Sequence, residues 1–327
     1  MKAILLHAHG GSENLYLGEA DTPKINDHEI LVKVHATALN RADILQREGK
    51  YPPPPGASEI IGLEMAGEVV KVGKKVTQRQ LGDRVCGLLA GGGYAEFMSI
   101  HEELALAIPD NLSYTEAAAL PEVFLTAFQS VKWIANLQKG ETILIHAGAS
   151  GVGTATIQLA QLFDAEQIIV TVSKGKHETC LQLGAHHAID YRSENFAEKV
   201  NEITNGKGAN VVIDFLMASY FQKNLDALAM DGRMVMLATM GGIKMPEVNL
   251  FNILRKRLQI TGSTLRSREL SYKIDLITAF KQQVWTHFST GELKPVIDSV
   301  FDWKEVGKAH QKMEGNENVG KIVLAVG

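Results

Sequence analysis

Residues 145–163, IHAGASGVGTATIQLAQLF, hold the side chains and turns best suited to gripping a ligand. Gly148, Ser150 and Gly153 stand at the three positions of a G-x-G-x-x-G fingerprint, with Gly151 and Val152 inside it. In such a turn the first glycine permits a sharp bend, the second lets backbone approach a pyrophosphate, and the third lets helix and strand pack closely. Serine replaces the middle glycine here. It is small enough for that approach, and its hydroxyl and amide can donate to a phosphate at the positive end of a helix. The competing reading is a glycine turn that only joins a strand to a helix. NAD sites carry Asp or Glu about 20 residues beyond the turn, to accept from the ribose hydroxyls. The corresponding strand tip, IIVTVSKGKHE, offers Ser173, Lys174 and Lys176 and no carboxylate before Glu178. A hydroxyl and an ammonium suit a 2′-phosphate, which a carboxylate would repel, so the expected cofactor is NADPH. The alternative there is that Ser173 caps a helix and the lysines are solvated.

These residues need a fold that presents them. Beyond about residue 112 the sequence alternates apolar strand-like runs with helical stretches: TILIHAG from Thr142, QIIVTVS from Gln167, HHAIDY from His186, NVVIDFL from Asn210, GRMVMLAT from Gly232 and LQITGS from Leu258. Helices are predicted near 151–164, 176–183, 194–204, 219–229 and 249–256. Near-continuous apolar strands suit a parallel sheet buried on both faces, and the alternation predicts an α/β, doubly wound Rossmann domain. Residues 1 to about 111 read differently. KAILLHA, EILVKVHATAL, AGEVVKVG, DRVCGLL and EFMSI are short β-rich runs between Gly, Pro, Asp and Lys clusters, which predicts a partly closed β-barrel. YPPPPG at 51–56 is a stiff surface loop, since consecutive prolines donate no hydrogen bonds. The expected domains are 1–118, completed by 290–327, and 119–289.

At 327 residues the chain is long enough for two such domains. Its 45% apolar and 21% charged residues are ordinary for a globular protein, and a net charge of −4 gives no long-range attraction to nucleic acid or anionic lipid. Cys86 and Cys180 form no CxxC pair, which fits a reducing compartment better than a disulfide scaffold. MKAILLHAHGG turns polar too soon for a signal peptide, and no apolar run reaches the length of a membrane span. The expectation is a cytoplasmic protein acting on a small molecule. His7 with His9, and His186 with His187, lack a third ligand and read as strand-end or surface histidines.

Several motifs taken together resemble the medium-chain dehydrogenase/reductase superfamily, and within it the zinc-free quinone oxidoreductases. GLEMAGEVVKVG at 62–73 and LGDRV at 81–85 are similar to its barrel signatures. ALNRAD, PPPGAS, AALPEVFLTAFQ, IHAGASGVGTA and NVGKIVL look like the quinone oxidoreductases induced by a tumour suppressor in animals. The resemblance implies a GroES-like β-rich barrel domain plus a Rossmann domain, with a substrate cleft between them near Asn40, Asp43, Tyr51 and Leu63. Zinc alcohol dehydrogenases of the superfamily hold Cys, His and Cys around the nicotinamide, and by motif those positions fall on Asn40, Leu63 and Glu122. Leu63 cannot ligate a metal and two oxygen donors do not suit tetrahedral zinc as a pair, so no metal is expected. Without a Lewis acid a simple ketone accepts hydride poorly, whereas a quinone or other conjugated carbonyl delocalises its product anion.

What the resemblance implies is therefore NADPH-dependent reduction of a quinone or enone by hydride or electron transfer. A reductase of activated carbon–carbon double bonds, with Tyr51 donating the proton, and an NADPH-binding protein of low turnover stay open. Within the implied site, Tyr51 stacks on a flat ring, donates its hydroxyl, or only covers the barrel. Asn40 orients nicotinamide or substrate, or holds backbone groups; Asp43 works in the site, or caps a helix beginning near Ile44. By position, Thr126 approaches the nicotinamide, Tyr191 with Arg192 covers the adenine end or its phosphate, and the loops at Met240, Leu265 and Arg266 line the nicotinamide half. LQITGS resembles the edge strand through which relatives pair, so a homodimer or homotetramer is expected.

Overall fold

The computed structural model describes residues 1–245 and 247–327. The turn-rich N-terminal third forms β1 (Lys2–Leu6), β2 (Leu15–Glu19), β3 (Glu29–Ala38), β4 (Glu64–Val72), β5 (Arg84–Leu88), β6 (Phe97–His101) and β7 (Ala105–Ala107). The short helices α1 (Arg41–Arg47) and α2 (Tyr114–Ala118) accompany them, and α3 (Pro121–Phe128) follows. Alternation decides which face of β3 turns inward: Ile30, Val32 and Val34 are buried and Lys33 between them is exposed. β3 pairs antiparallel with β4, and through Glu29 to Lys33 with β6.

The nucleotide-fold text gives β8 (Thr142–Ile145), β9 (Gln167–Thr171), β10 (His187–Ile189), β11 (Ala209–Asp214), β12 (Leu228–Met236) and β13 (Gln259–Gly262). Between them run α4 (Gly151–Leu162), α5 (His177–Gln182), α6 (Phe196–Ile203), α7 (Phe221–Ala227) and α8 (Phe251–Lys256). The strands are parallel, in the order β10-β9-β8-β11-β12-β13. Ile143, Leu144 and Ile145 are fully buried, as a strand covered on both faces requires. From β8 the chain builds first to one side and then to the other, which makes the carboxyl end of β8 the switch point where such sheets bind ligands.

The chain then forms α9 (Leu270–Phe280), α10 (Thr286–Ser289), β14 (Ile297–Asp302), α11 (Val306–Glu314) and β15 (Lys321–Ala325). β15 pairs antiparallel with the end of β3, Val323 opposite Ala38, a register that carries Lys321 toward Asn40. The chain divides into two compact units, Met1–Leu125 with Leu265–Gly327, and Thr126–Thr264. The return to the first unit at Leu265 comes earlier than the expected residue 290. The reason is packing: Trp285 donates to the Ala107 carbonyl at 3.0 Å, Asn111 to the Phe288 carbonyl at 3.0 Å, and Phe288 meets Phe124 edge-on at 4.8 Å. Among the described residues no helix is long and apolar enough to cross a membrane.

Candidate active site

In the unit Thr126–Thr264, the glycine turn leaves β8 through Ala147, which is left-handed at φ +49. A Cβ on Gly148 would meet Val170 at 2.7 Å, and one on Gly153 would meet the Ala147 carbonyl at 2.4 Å. Both glycines are therefore fixed by packing of turn and helix on strand, as the first and third fingerprint positions require. Ser150 is the N-cap of α4, its Oγ accepting from the Gly153 amide at 3.0 Å. One detail corrects the sequence reading. The Ser150 amide donates to the Ala147 carbonyl at 2.8 Å and is not available to a phosphate. The amides of Gly151 and Val152, in the partly exposed first turn of α4, are the ones left over, together with the Ser150 hydroxyl proton. Behind the turn, fully buried His146 joins β8, β9 and α7, with Nδ1 2.9 Å from Thr171 Oγ1 and Nε2 2.7 Å from Asn224 Oδ1. The amide oxygen can only accept, so Nε2 carries the proton; burial pushes the imidazole down to about 4 and keeps it neutral.

At the tip of β9, Ser173 precedes a short 3-10 turn, Lys174–Lys176, but its hydroxyl forms no cap hydrogen bond. Ser173 thus holds the N-cap position of that turn through its carbonyl, which accepts from the Lys176 amide at 2.9 Å, and not through its side chain. Lys174 is exposed, Lys176 is half-buried, and the next carboxylate is still Glu178. After β10, Tyr191 is 43% exposed with the Arg192 guanidinium 5.8 Å from its ring centroid. Met240, in the loop after β12, is 51% exposed, and its amide donates to the Phe215 carbonyl at 3.0 Å. Thr126, at the start of this unit, keeps a buried hydroxyl with no partner. Free helix-terminal amides, an orphaned buried hydroxyl and a basic, carboxylate-free strand tip fit a dinucleotide that carries an extra phosphate.

The other unit gathers the remaining candidates, and adds two residues that sequence reasoning missed. Asn40 ends β3 and caps α1, and its amide is committed at both ends. Nδ2 donates to Glu64 Oε1 at 2.9 Å and to the Ala38 carbonyl at 3.3 Å, while Oδ1 accepts from Lys321 Nζ at 2.7 Å. Lys321 also donates to Glu64 Oε1 at 2.7 Å and to the Leu39 carbonyl at 2.6 Å. Glu64 Oε2 accepts from the Glu122 amide at 2.9 Å. Glu64 is 0% and Lys321 3% exposed, so this is a buried ion pair with its donors and acceptors satisfied. The signal in the sequence was one charge inside each of two apolar strand motifs, GLEMAG and NVGKIVL.

Asp43 does help to cap a helix, but one that begins at Arg41 and not near Ile44. It lies inside the first turn of α1, fully buried, and completes a capping box, with Oδ2 accepting from the Asn40 amide at 2.7 Å and also from the Tyr94 hydroxyl at 3.2 Å. Oδ1 has no partner, and burial pushes the carboxyl up to about 7. Behind it, Tyr94 Oη lies 3.3 Å from His310 Nε2, His310 Nδ1 lies 3.3 Å from Arg47 Nη1, and Arg47 pairs with Glu314. A guanidinium only donates, so His310 carries its proton on Nε2 and every donor in the chain points toward Asp43. Burial first, then Arg47, push His310 down to about 3. Because its far end is a guanidinium that keeps its protons, the chain orients Asp43 and conducts no proton.

Leu63, 1% exposed, is a core residue and offers no donor atom. Tyr51 is partly exposed, with the Arg266 guanidinium 5.2 Å from its ring centroid. Leu265 and Arg266, grouped with the cofactor by sequence position, belong to the same unit as Tyr51. Leu265 is 5% exposed, and Arg266 spends its guanidinium on the Ala90 carbonyl at 2.8 Å and Gln46 Oε1 at 2.7 Å. A zinc ion does not fit this unit. Leu63 cannot ligate it, Asn40 is spent, and the Lys321 ammonium already contacts the oxygens of Asn40 and Glu64. Among the described residues no group of three His, Cys, Asp or Glu side chains is placed to hold a metal.

Residues 26–110 match the alcohol dehydrogenase GroES-like domain, and residues 151–279 match the zinc-binding dehydrogenase family. A quinone oxidoreductase-like protein 2 homolog of Nematostella vectensis is 33% identical, over 93% of this chain and 83% of its own length. The chain belongs to the medium-chain dehydrogenase/reductase superfamily, in its quinone oxidoreductase branch. Two solved structures of similar proteins superpose over nearly whole chains. Escherichia coli quinone oxidoreductase complexed with NADPH has a TM-score of 0.88 at 30% identity, covering 99% of this chain and 100% of that one. CurK enoyl reductase has a TM-score of 0.89 at 30% identity, covering 100% and 99%. As a superfamily member the chain is an oxidoreductase with a GroES-like sheet unit and a Rossmann unit.

Proposed function

We propose that this oxidoreductase reduces quinones, or similarly activated conjugated carbonyls, with NADPH and without a metal ion. The carrying observation is the trio Asn40, Leu63 and Glu122, which replaces a Lewis acid with a spent amide, an apolar side chain and a carboxyl beside a buried ion pair. Bound NADPH supplies the hydride. The amides of Gly151 and Val152 and the Ser150 hydroxyl would hold its pyrophosphate, Thr126 would serve its nicotinamide end, Ser173 with Lys176 would take the 2′-phosphate, and Tyr191 would serve the adenine end. The E. coli relative complexed with NADPH supports the choice of cofactor. The substrate ring lies on the face of Tyr51 opposite Arg266, and an electron-poor quinone suits such stacking. With no metal to polarise it, only a carbonyl whose product anion is delocalised reacts at a useful rate.

The similarity to CurK favours a second reading, reduction of a conjugated carbon–carbon double bond with the Tyr51 hydroxyl as proton donor. Burial raises that hydroxyl's pKa, which keeps it protonated. Rapid mixing of the NADPH-loaded protein with a quinone panel and an enoyl panel separates the readings. Quinones are expected to consume NADPH fastest, with the NADH-loaded protein slower. Faster enoyl turnover would replace the first reading by the second, and no turnover would leave an NADPH-binding protein. We further place it in the cytoplasm, in keeping with free, buried Cys86 and Cys180, as a homodimer or homotetramer. β13 pairs on one side with β12, and nearby Leu250, Phe251 and Leu254 are 62%, 61% and 77% exposed. Sedimentation as a monomer at micromolar concentration would refute that assembly.

A further inference from the structure

Hydride addition builds negative charge on a carbonyl oxygen, and a donor aimed at that oxygen is worth orders of magnitude in rate. Arg266, Lys321 and Asn40 are committed elsewhere. Glu122 is not. It lies in the first turn of α3, and only its backbone amide is engaged, by Glu64 at 2.9 Å. Among the described residues its partly exposed carboxyl has no hydrogen bond or ion pair. Glu64, by contrast, spends both oxygens on Lys321, Asn40 and that amide.

The charged groups facing Glu122 come from four places: Glu64 on β4, Lys321 on β15, Asp43 on α1, and Arg266 ahead of α9. Tyr51 and Lys273, on α9, feel its charge in turn. Burial first, and the Glu64 charge second, push the Glu122 carboxyl up to about 7 against the pull of Lys321 and Arg266. Two neighbouring carboxyls are thus driven to different tasks: one paired and saturated with bonds, the other about half protonated at pH 7, with an uncommitted O–H in its acid form.

We propose that Glu122 is the acid of this reaction: its carboxyl donates a hydrogen bond to the substrate carbonyl oxygen and gives that oxygen its proton as the hydride arrives. The inference rests on the reductase reading above. The hydride brings both electrons and one hydrogen nucleus, and Glu122 brings the second. Its O–H bond breaks as the product O–H forms, and the carboxylate left behind takes a proton from solvent, which its partial exposure permits. The substrate class stays that of the reductase reading, quinones and enones, whose reduced oxygen forms as a delocalised phenolate or enolate that a carboxylic acid can protonate.

Two measurements test this. In 13C NMR of the protein without cofactor, labelled at glutamate and assigned with Glu122→Gln, Glu122 is expected to titrate with a midpoint near 7. A midpoint near the ordinary value of about 4.3 would overturn the proposal without touching the reductase reading. In rapid mixing with a quinone, Glu122→Gln is expected to slow NADPH oxidation about 100-fold, the low end of what a positioned acid contributes. The variant should lose the parent's decline in rate above pH 7, Glu122→Asp should retain more activity, and formate should partly rescue the glutamine form. An unchanged rate and pH profile in Glu122→Gln would refute the role. A parent that oxidises NADPH with no acceptor would take down both readings, whatever the titration shows.

Discussion

Ser150→Val is expected to abolish NADPH binding, while Ser150→Gly keeps most of it. The hydroxyl accepts from the Gly153 amide at 3.0 Å, so its oxygen already works as a helix cap and only its proton remains for a phosphate. Glycine loses that donor, about 0.5–1.5 kcal/mol for one hydrogen bond, but is itself a tolerated cap at a further cost of a few tenths. Valine sets a branched, apolar side chain beside the amides of Gly151 and Val152, where the backbone must meet the pyrophosphate. Capping also tells how stability responds. Valine at an N-cap costs roughly 0.5–2 kcal/mol, so the melt should fall by a few degrees and stay cooperative. Calorimetric titration of NADPH into both variants, with circular dichroism melts beside it, decides the matter. A valine variant that binds NADPH as well as the parent would reduce this turn to a connection.

Lys321→Met is expected to destabilise the unit containing it by about 3–5 kcal/mol, because it strands a buried carboxylate. All three Nζ protons of Lys321 are used, on Leu39, Asn40 and Glu64, and Glu64 is wholly buried. The double variant Glu64→Gln/Lys321→Met removes both charges and should recover most of the loss, since the cost lies in the unpaired ion more than in the missing attraction. A pair such as Lys139–Asp164, at 82% and 63% exposure, marks the contrast. Breaking an exposed pair of that kind costs about 0–1 kcal/mol. Denaturant unfolding followed by fluorescence measures both variants beside the parent. A Lys321→Met loss under about 1 kcal/mol would mean the cluster is hydrated and the site wetter than its burial indicates.

How legible this was in the sequence depended on how local the cause is. The apolar runs of β8 to β13 and the helices between them show in the sequence because a strand buried on both faces must be apolar throughout, and Gly148 to Gly153 shows because a tight turn onto a helix needs those residue types. β2, LYLGE, is weakly patterned and is held by pairing with β1. The helix Leu270–Phe280 was not among those read from the sequence, and its place with the first unit is set by contacts far apart in the chain. The Glu64–Lys321 pair was out of reach for another reason. Its members are far apart in the chain, and the register of β15 on β3, set by whole strands, brings them together. The Ser150 amide, spent on Ala147, likewise follows from the left-handed backbone at 147.

The most direct test of metal-free reduction starts with protein dialysed against a strong chelator, confirmed by elemental analysis to hold less than stoichiometric zinc, and loaded with NADPH. Rapid mixing of that sample with a quinone, followed at the reduced-nicotinamide absorbance, should show oxidation at the rate of untreated protein, unchanged when zinc is returned. Loss of the reaction after chelation, with recovery on adding zinc, would contradict the account.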